Sequence, residues 1–225
     1  MFIHSSYKSW LVALIAVFSF AIAAAAQTFP APLADVPLAA TSSKQTSVLA
    51  GGCFWGQQLV FEHLKGVISV TAGYSGGVAT TAEYETVSSG RTGHAESVEI
   101  VFDPSQVSYG QILKVFFDVA HDPTQLDRQY PDEGTQYRSA IFYANDKQRT
   151  IAQNYIQQLD AAKVFPKLIV TEGTPLKGFY SAESYHQDYA IKHPDNPALQ
   201  PLYPPRLNQL KRGCGDGRSD RWRAA

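Results

Sequence analysis

Residues 46–64, TSVLAGGCFWGQQLVFEHL, decide how the rest of the chain is read. Thr46 to Ala50 is a short strand-like run, Gly51 and Gly52 break it, and a helical pattern follows from about Gly56 to Leu64, with Leu59, Val60, His63 and Leu64 on one face. Cys53 therefore sits at a strand-to-helix turn, between glycines and two large aromatics. Unpaired amides at a helix start favour a thiolate. The glycines allow close approach to the sulfur, and Phe54 and Trp55 can build an apolar wall beside it. A buried structural thiol remains an alternative on these residues alone.

Outward from that turn, Val67 to Tyr74 is rich in β-branched residues and ends at Gly76 and Gly77. Ser97 to Phe102 alternates and is closed by Asp103 and Pro104. Tyr109 to Val119 has the helical period, Ser139 to Tyr143 reads as a strand, Asp146 to Ala162 as a long helix capped near Asn145, and Leu168 to Thr171 as a further strand. Strands neither all parallel nor all in hairpins predict an α+β fold, a two-layer mixed sheet with helices packed on it.

The flanks differ in composition. Lys8 leads into an apolar run from Trp10 to Ala26 that ends in small residues, which predicts a secretory signal peptide over 1–26 with cleavage near Gln27. An uncleaved anchor is the alternative, but the apolar core is short for a span of about 20 residues. Residues 27–45, rich in Ala, Pro, Thr and Ser, read as a flexible leader before a catalytic domain over 46–193. Prolines 194, 197, 201, 204 and 205 mark 194–225 as an extended tail, in which Gly213 and Gly215 flank Cys214.

The chain of 225 residues suffices for one well-packed domain. Its 19 Lys plus Arg against 20 Asp plus Glu give no reason to expect nucleic acid as partner. Met1 is the only methionine, so cleavage would leave none; this reads either as compositional chance, with Leu, Ile and Val in its place, or as an advantage to a protein working among oxidants. The two cysteines, Cys53 and Cys214, would by default form a structural disulfide in an exported protein. A binding module stapled in that way is one reading of the chain; a hydrolase with Cys53 as nucleophile and His94 or His186 as base is another. His94 and His121 lack further ligands at zinc-like spacing, so no metal is expected.

Gly52-Cys53-Phe54-Trp55-Gly56 resembles the signature of the A-type methionine sulfoxide reductases. Five further blocks, beginning at Gly73, Gly93, Phe102, His121 and Gly134, follow in that family's order, with Tyr84 between the first two; the resemblance spans roughly 48–194. It implies a ferredoxin-like two-layer core and reduction of the S epimer of methionine sulfoxide, free or in proteins, by electrons from a thioredoxin-like dithiol. No cofactor is implied, and no stable membrane association after cleavage. By position, Cys53 matches the nucleophile, Glu96 the proton donor, and Tyr84 and Tyr137 the phenols that bond the sulfoxide oxygen. Phe54 and Trp55 would enclose the substrate methyl group, and Asp132 and His186 match positions near the site. The oxygen of a sulfoxide leaves only when protonated, so a general acid is needed; an apolar setting would keep Glu96 protonated. Cys214 is the internal candidate to resolve a sulfenic acid on Cys53, although the Pro-rich stretch before it departs from the family's usual spacing. The bland alternatives are packing tyrosines, a solvated strand carboxylate at Glu96 and a structural ion pair at Arg138.

Overall fold

A computed structural model describes residues 29–197, Leu199 and Asn208. Residues 1–28, with the expected signal peptide, and most of the tail, with Cys214, lie outside the described residues.

The four strands at the centre are β1 (Gln45–Gly51), β2 (Val67–Ser75), β3 (Ala95–Phe102) and β6 (Ser139–Tyr143). They stand in the order β6-β1-β3-β2 with every neighbour antiparallel. With α1 (Phe54–Glu62) after β1 and α3 (Tyr109–Val115) after β3, this is the ferredoxin-like βαββαβ arrangement. Two short strands extend the sheet: β7 (Glu172–Pro175) pairs parallel with β6 at one edge, and β8 (Phe179–Ser181) antiparallel with β2 at the other. The sheet is therefore mixed.

Alternation along the strands explains the layers. Val98, Ile100 and Phe102 of β3 point with Leu49 and Ile141 into the main core, where Val60 and Phe61 of α1 meet Ile112 and Leu113 of α3. The long helix α4 (Asp146–Ala161) adds Ile151, Tyr155 and Leu159 to the same core. Burying each such side chain contributes about 1.5–3 kcal/mol. On the opposite face Val48, Ala50, Ala140 and Phe142 form a smaller cluster under Leu176 and Phe179. The cap expected at Asn145 is present, its side chain accepting from the Gln148 amide at 3.0 Å. A capping box of Ser108 and Gln111 starts α3, which continues through a π turn over Phe116–Ala120.

Three expectations are corrected. Leu168 to Thr171 is not a strand: Leu168 is exposed, the Ile169 amide bonds Asp160 and the Val170 amide bonds Pro123, and the pairing with β6 begins at Glu172. From Phe29 to Lys44 the leader has no regular secondary structure, and Gln45 already belongs to β1, yet from Pro30 onward it is strapped to the domain. Tyr155 donates to the Pro30 carbonyl at 2.6 Å, and Asp35 accepts from the Gly110 amide and the Ser108 hydroxyl at the start of α3. A hairpin of β4 (Arg128–Gln129) and β5 (Asp132–Glu133) also forms where no strand was expected. Among the described residues no helix is long and apolar enough to cross a membrane.

Candidate active site

Cys53 occupies the N-cap position of α1, just after central strand β1. The chain turns there because Gly52 adopts φ +88°, a conformation that costs a side-chain-bearing residue dearly. A Cβ on Gly52 would also lie 2.5 Å from Cβ of the buried Gln129, whose amide oxygen holds the Asp122 amide at 2.8 Å. Gly52→Ala is accordingly expected to destabilise the fold by about 2 kcal/mol or more. A urea titration checks this, and an unchanged midpoint would contradict it.

The thiol opens into a cavity of about 130 Å³ lined by Cys53, Phe54, Trp55, Tyr84, Glu96, Pro131, Asp132, Tyr137 and Leu199. Seven of these were singled out in the sequence, and they come from five separate segments of chain. Phe54 and Trp55 are the first two residues of α1, Glu96 is the second residue of β3, and Asp132 begins β5. Tyr84 starts a single-turn helix, α2 (Tyr84–Val87), and Tyr137 ends a 3-10 turn.

Glu96 is 3 % exposed, and its Oε2 accepts from the Phe54 amide at 3.0 Å. Burial outweighs that bond and, with Asp132 nearby, pushes the carboxyl up to about 8. It is no solvated strand carboxylate; it carries a proton at neutral pH. Burial likewise raises both phenols, with the Glu96 charge adding to the effect, so Tyr84 and Tyr137 remain hydrogen-bond donors.

The thiol departs from the sequence expectation. The amides of Trp55 and Gly56 do lower it, as the start of a helix should. Desolvation, followed by the charge on Glu96 and then that on Asp132, overrides them and holds Cys53 well above the usual thiol range. The resting pair is therefore a neutral thiol beside a neutral acid.

His186 lies one layer behind the cavity. It is 2 % exposed and packs against the rings of Tyr84 and Phe54, with centroids at 4.5 and 5.0 Å. Burial keeps its imidazole below the usual range, so it is neutral. Its Nδ1 accepts from the Trp55 indole at 3.1 Å, and the other face of Trp55 stacks on Tyr189 at 3.8 Å. The indole is thus fixed on both sides.

A role for His94 as a base finds no support in this geometry. His94 accepts from the Gly77 amide with Nδ1 and bonds the Val78 carbonyl with Nε2, so both ring nitrogens are engaged in structure. Arg138 ties the Tyr137 turn to its surroundings, donating to Glu172, Thr135 and Gly93. Among the described residues no group of three or more metal-ligating side chains occurs.

A model of the family described as peptide methionine sulfoxide reductase matches residues 45–213. The chain belongs to the peptide methionine sulfoxide reductase family. It is an oxidoreductase. A relative from Mesorhizobium japonicum, named peptide methionine sulfoxide reductase MsrA 2, is 55 % identical over 172 residues, covering 76 % of this chain and 88 % of its own. One of the same name from Synechocystis is 47 % identical over 204 residues, covering 90 % and 95 %. The solved methionine sulfoxide reductase A of Corynebacterium diphtheriae superposes with a TM-score of 0.59 at 36 % identity, covering 69 % of this chain and 77 % of its own.

The family match ends one residue before Cys214. Two of the lining residues were missed in the sequence reading. Pro131 is brought in by the β4–β5 hairpin, and Leu199 comes from the tail, packed with Leu59 and Ala190 against Trp55 and Tyr189. Glu183 was also missed. Its carboxylate accepts from the Tyr84 amide and the Tyr74 hydroxyl, both at 2.9 Å. Burial works to raise it, but those bonds prevail and keep it charged. Pro131 and Glu183 stand one and three residues before Asp132 and His186, and that proximity was the signal that could have found them; Leu199, in the tail, has no such neighbour.

Proposed function

We propose that this reductase converts methionine S-sulfoxide, free or in proteins, to methionine through a sulfenic acid on Cys53. The observation that carries the reading is the pairing of a thiol with a buried carboxyl that stays protonated to about 8, in one small cavity with two phenols. Tyr84 and Tyr137 donate to the sulfoxide oxygen, Phe54 and Trp55 hold the methyl group, and Asp132 adds negative charge near Glu96. As the sulfoxide oxygen takes a proton from Glu96, the Cys53 sulfur passes its own proton to the Glu96 carboxylate and attacks the substrate sulfur, forming a transient S–S bond that breaks as the oxygen transfers. The S–O bond of the substrate breaks and the oxygen passes to Cys53. Substrate sulfur gains two electrons and Cys53 loses two, so thiol plus sulfoxide gives sulfenic acid plus thioether.

In the second half-reaction the Cys214 thiol condenses with the sulfenic acid, releasing water and leaving a Cys53–Cys214 disulfide. A thioredoxin-like dithiol then reduces it. The sequence of residues 1–26 supports export and repair of oxidised proteins in the periplasm or outside the cell, with no nucleic acid, cofactor or stable membrane contact involved.

The pre-reduced full chain, given a peptide methionine sulfoxide and no reductant, is expected to form about one equivalent of methionine and then stop. Cys214→Ser should still deliver that first equivalent, with the sulfenic acid trapped by a dione reagent, yet fail to turn over with a thioredoxin-like donor. Continued turnover without any reductant would point to a hydrolase. Undiminished turnover of Cys214→Ser with the donor would remove Cys214 from the mechanism.

A further inference from the structure

The direction of the Tyr84 phenol is set only in part by its own segment, where Ser88 bonds the Tyr84 side chain and donates its hydroxyl to the Tyr84 carbonyl at 2.7 Å. Tyr84 is the first residue of a four-residue helix whose N-cap residue, Glu83, makes no side-chain cap. A single helical turn has little stability of its own. What ties the backbone at Tyr84 to the rest of the domain is its amide, which donates to Glu183 Oε1 at 2.9 Å. The other oxygen of that carboxylate accepts from the Tyr74 hydroxyl at 2.9 Å, and Tyr74 is a fully buried residue of β2. One carboxylate therefore clamps the start of the turn, whose Val87 is already buried in the main core, to strand β2 through two charge-assisted hydrogen bonds.

Glu183 also governs what lies against the ring. It caps the 3-10 turn Ser184–His186, its carbonyl receiving the His186 amide at 2.9 Å, and His186 packs on Tyr84 at 4.5 Å between centroids. The His186 Nε2, buried without a hydrogen bond, faces Glu183 Oε2 at 4.0 Å. Both the backbone and the packing face of Tyr84 are thus referred to the same residue. Glu183 itself does not line the cavity.

We infer that Glu183 is a positioning residue for the reduction step, aiming the Tyr84 phenol at the sulfoxide oxygen by holding the Tyr84 amide. The inference rests on the donor role proposed above for Tyr84. A donor misplaced by about 1 Å forfeits much of its effect on a developing charge, without a comparable loss of substrate binding.

The test is single-turnover methionine formation by the pre-reduced full chain on a peptide methionine sulfoxide. Four variants are compared: Tyr84→Phe, Glu183→Ala, Glu183→Gln, and Tyr84→Phe combined with Glu183→Ala. Tyr84→Phe and Glu183→Ala are each expected to slow the step by about tenfold at saturating peptide, with little change in the half-saturating concentration. Glu183→Gln keeps an oxygen for the Tyr84 amide and an NH₂ group for the Tyr74 oxygen, so it should recover most of the rate. In the double variant Glu183→Ala should cost no more than about another twofold, because the phenol it would misplace is already gone.

Fully additive losses in the double variant, or a wild-type rate in Glu183→Ala, would overturn the inference. If Glu183→Ala does not fold, Glu183→Gln decides: folded but about tenfold slow, it overturns the inference as well. A wild-type rate in Tyr84→Phe would instead strike at the phenol's donor role, which separates failure of that reading from failure of the clamp.

Discussion

Glu96→Gln is expected to lose about 10²–10⁴-fold of the rate of methionine formation while making the fold more stable at neutral pH. The first effect follows because an amide cannot protonate the departing oxygen, and the phenols, whose protons burial holds more tightly, are poor substitutes. The second follows from the sign of the shift. Glu96 is raised in the folded protein from its ordinary 4.5 to about 8. A raised carboxyl contributes favourably while both states are protonated, and that contribution is lost as pH climbs from the unfolded value through the folded one. Glutamine has no such proton to hold. The variant should therefore match wild type at about pH 4 and exceed it by about 3 kcal/mol at neutral pH. Denaturant melts at the two pH values, beside single-turnover rates, test both halves. Turnover near wild type would pass the acid role to another group, with Asp132 first in line because it is half-buried and raised by burial. A variant whose advantage over wild type is no larger at neutral pH than at acid pH would contradict the buried proton.

The same proton bears on the thiol. Above about 8 the Glu96 charge helps to hold Cys53 protonated, and Glu96→Gln removes that charge. The carboxyl thus restrains its neighbour only once it has ionised, above about 8, and serves it as an acid during the reaction at neutral pH. Reading the thiol as a thiolate from its place at a helix start considered two amides and left out the desolvation that overrides them. A sequence displays the first directly. The second depends on how tightly five segments of chain close around one sulfur.

That difference recurs through the molecule. The strand-turn-helix at Cys53 was legible because its signals are local: glycines at the break, a helical face after it, and a chain that needs φ +88° at Gly52. The α+β class followed from periods of two and 3.6 in long segments, whereas the ferredoxin-like core was implied by the family resemblance alone. Edge strand β7 was misplaced because Leu168, Ile169 and Val170 look more like a strand than Glu172-Gly173-Thr174-Pro175 does. The register of β6 selects the latter, and strand preference yields to pairing. Leu199 and Glu183 escaped notice for a related reason: each acts on a residue far away in sequence, Leu199 on Trp55 and Glu183 on Tyr84. The strap formed by the leader is another case, since nothing in an Ala- and Pro-rich run announces that Asp35 will bond the start of α3.

Cys53→Ser should yield no methionine above background in a single turnover, a loss of at least about 10⁴-fold. Serine is a strong N-cap residue, so α1 and the fold should persist, and Phe54, Trp55, Tyr84 and Tyr137 remain to bind the peptide. The predicted signature is thus a fully folded protein that binds the sulfoxide as tightly as wild type, by calorimetry or fluorescence of Trp55, and leaves it unreduced. Two features of the chemistry make the loss nearly complete. A hydroxyl is a far poorer nucleophile toward sulfur than a thiol. Accepting the oxygen would also leave serine with an O–O bond, much weaker than the S–O bond of a sulfenic acid, so there is no downhill path for oxygen transfer even with Glu96 supplying its proton. Methionine appearing from Cys53→Ser at a measurable fraction of the wild-type rate would show that the oxygen goes elsewhere. The acid pair around Cys53 would then be an arrangement for binding alone.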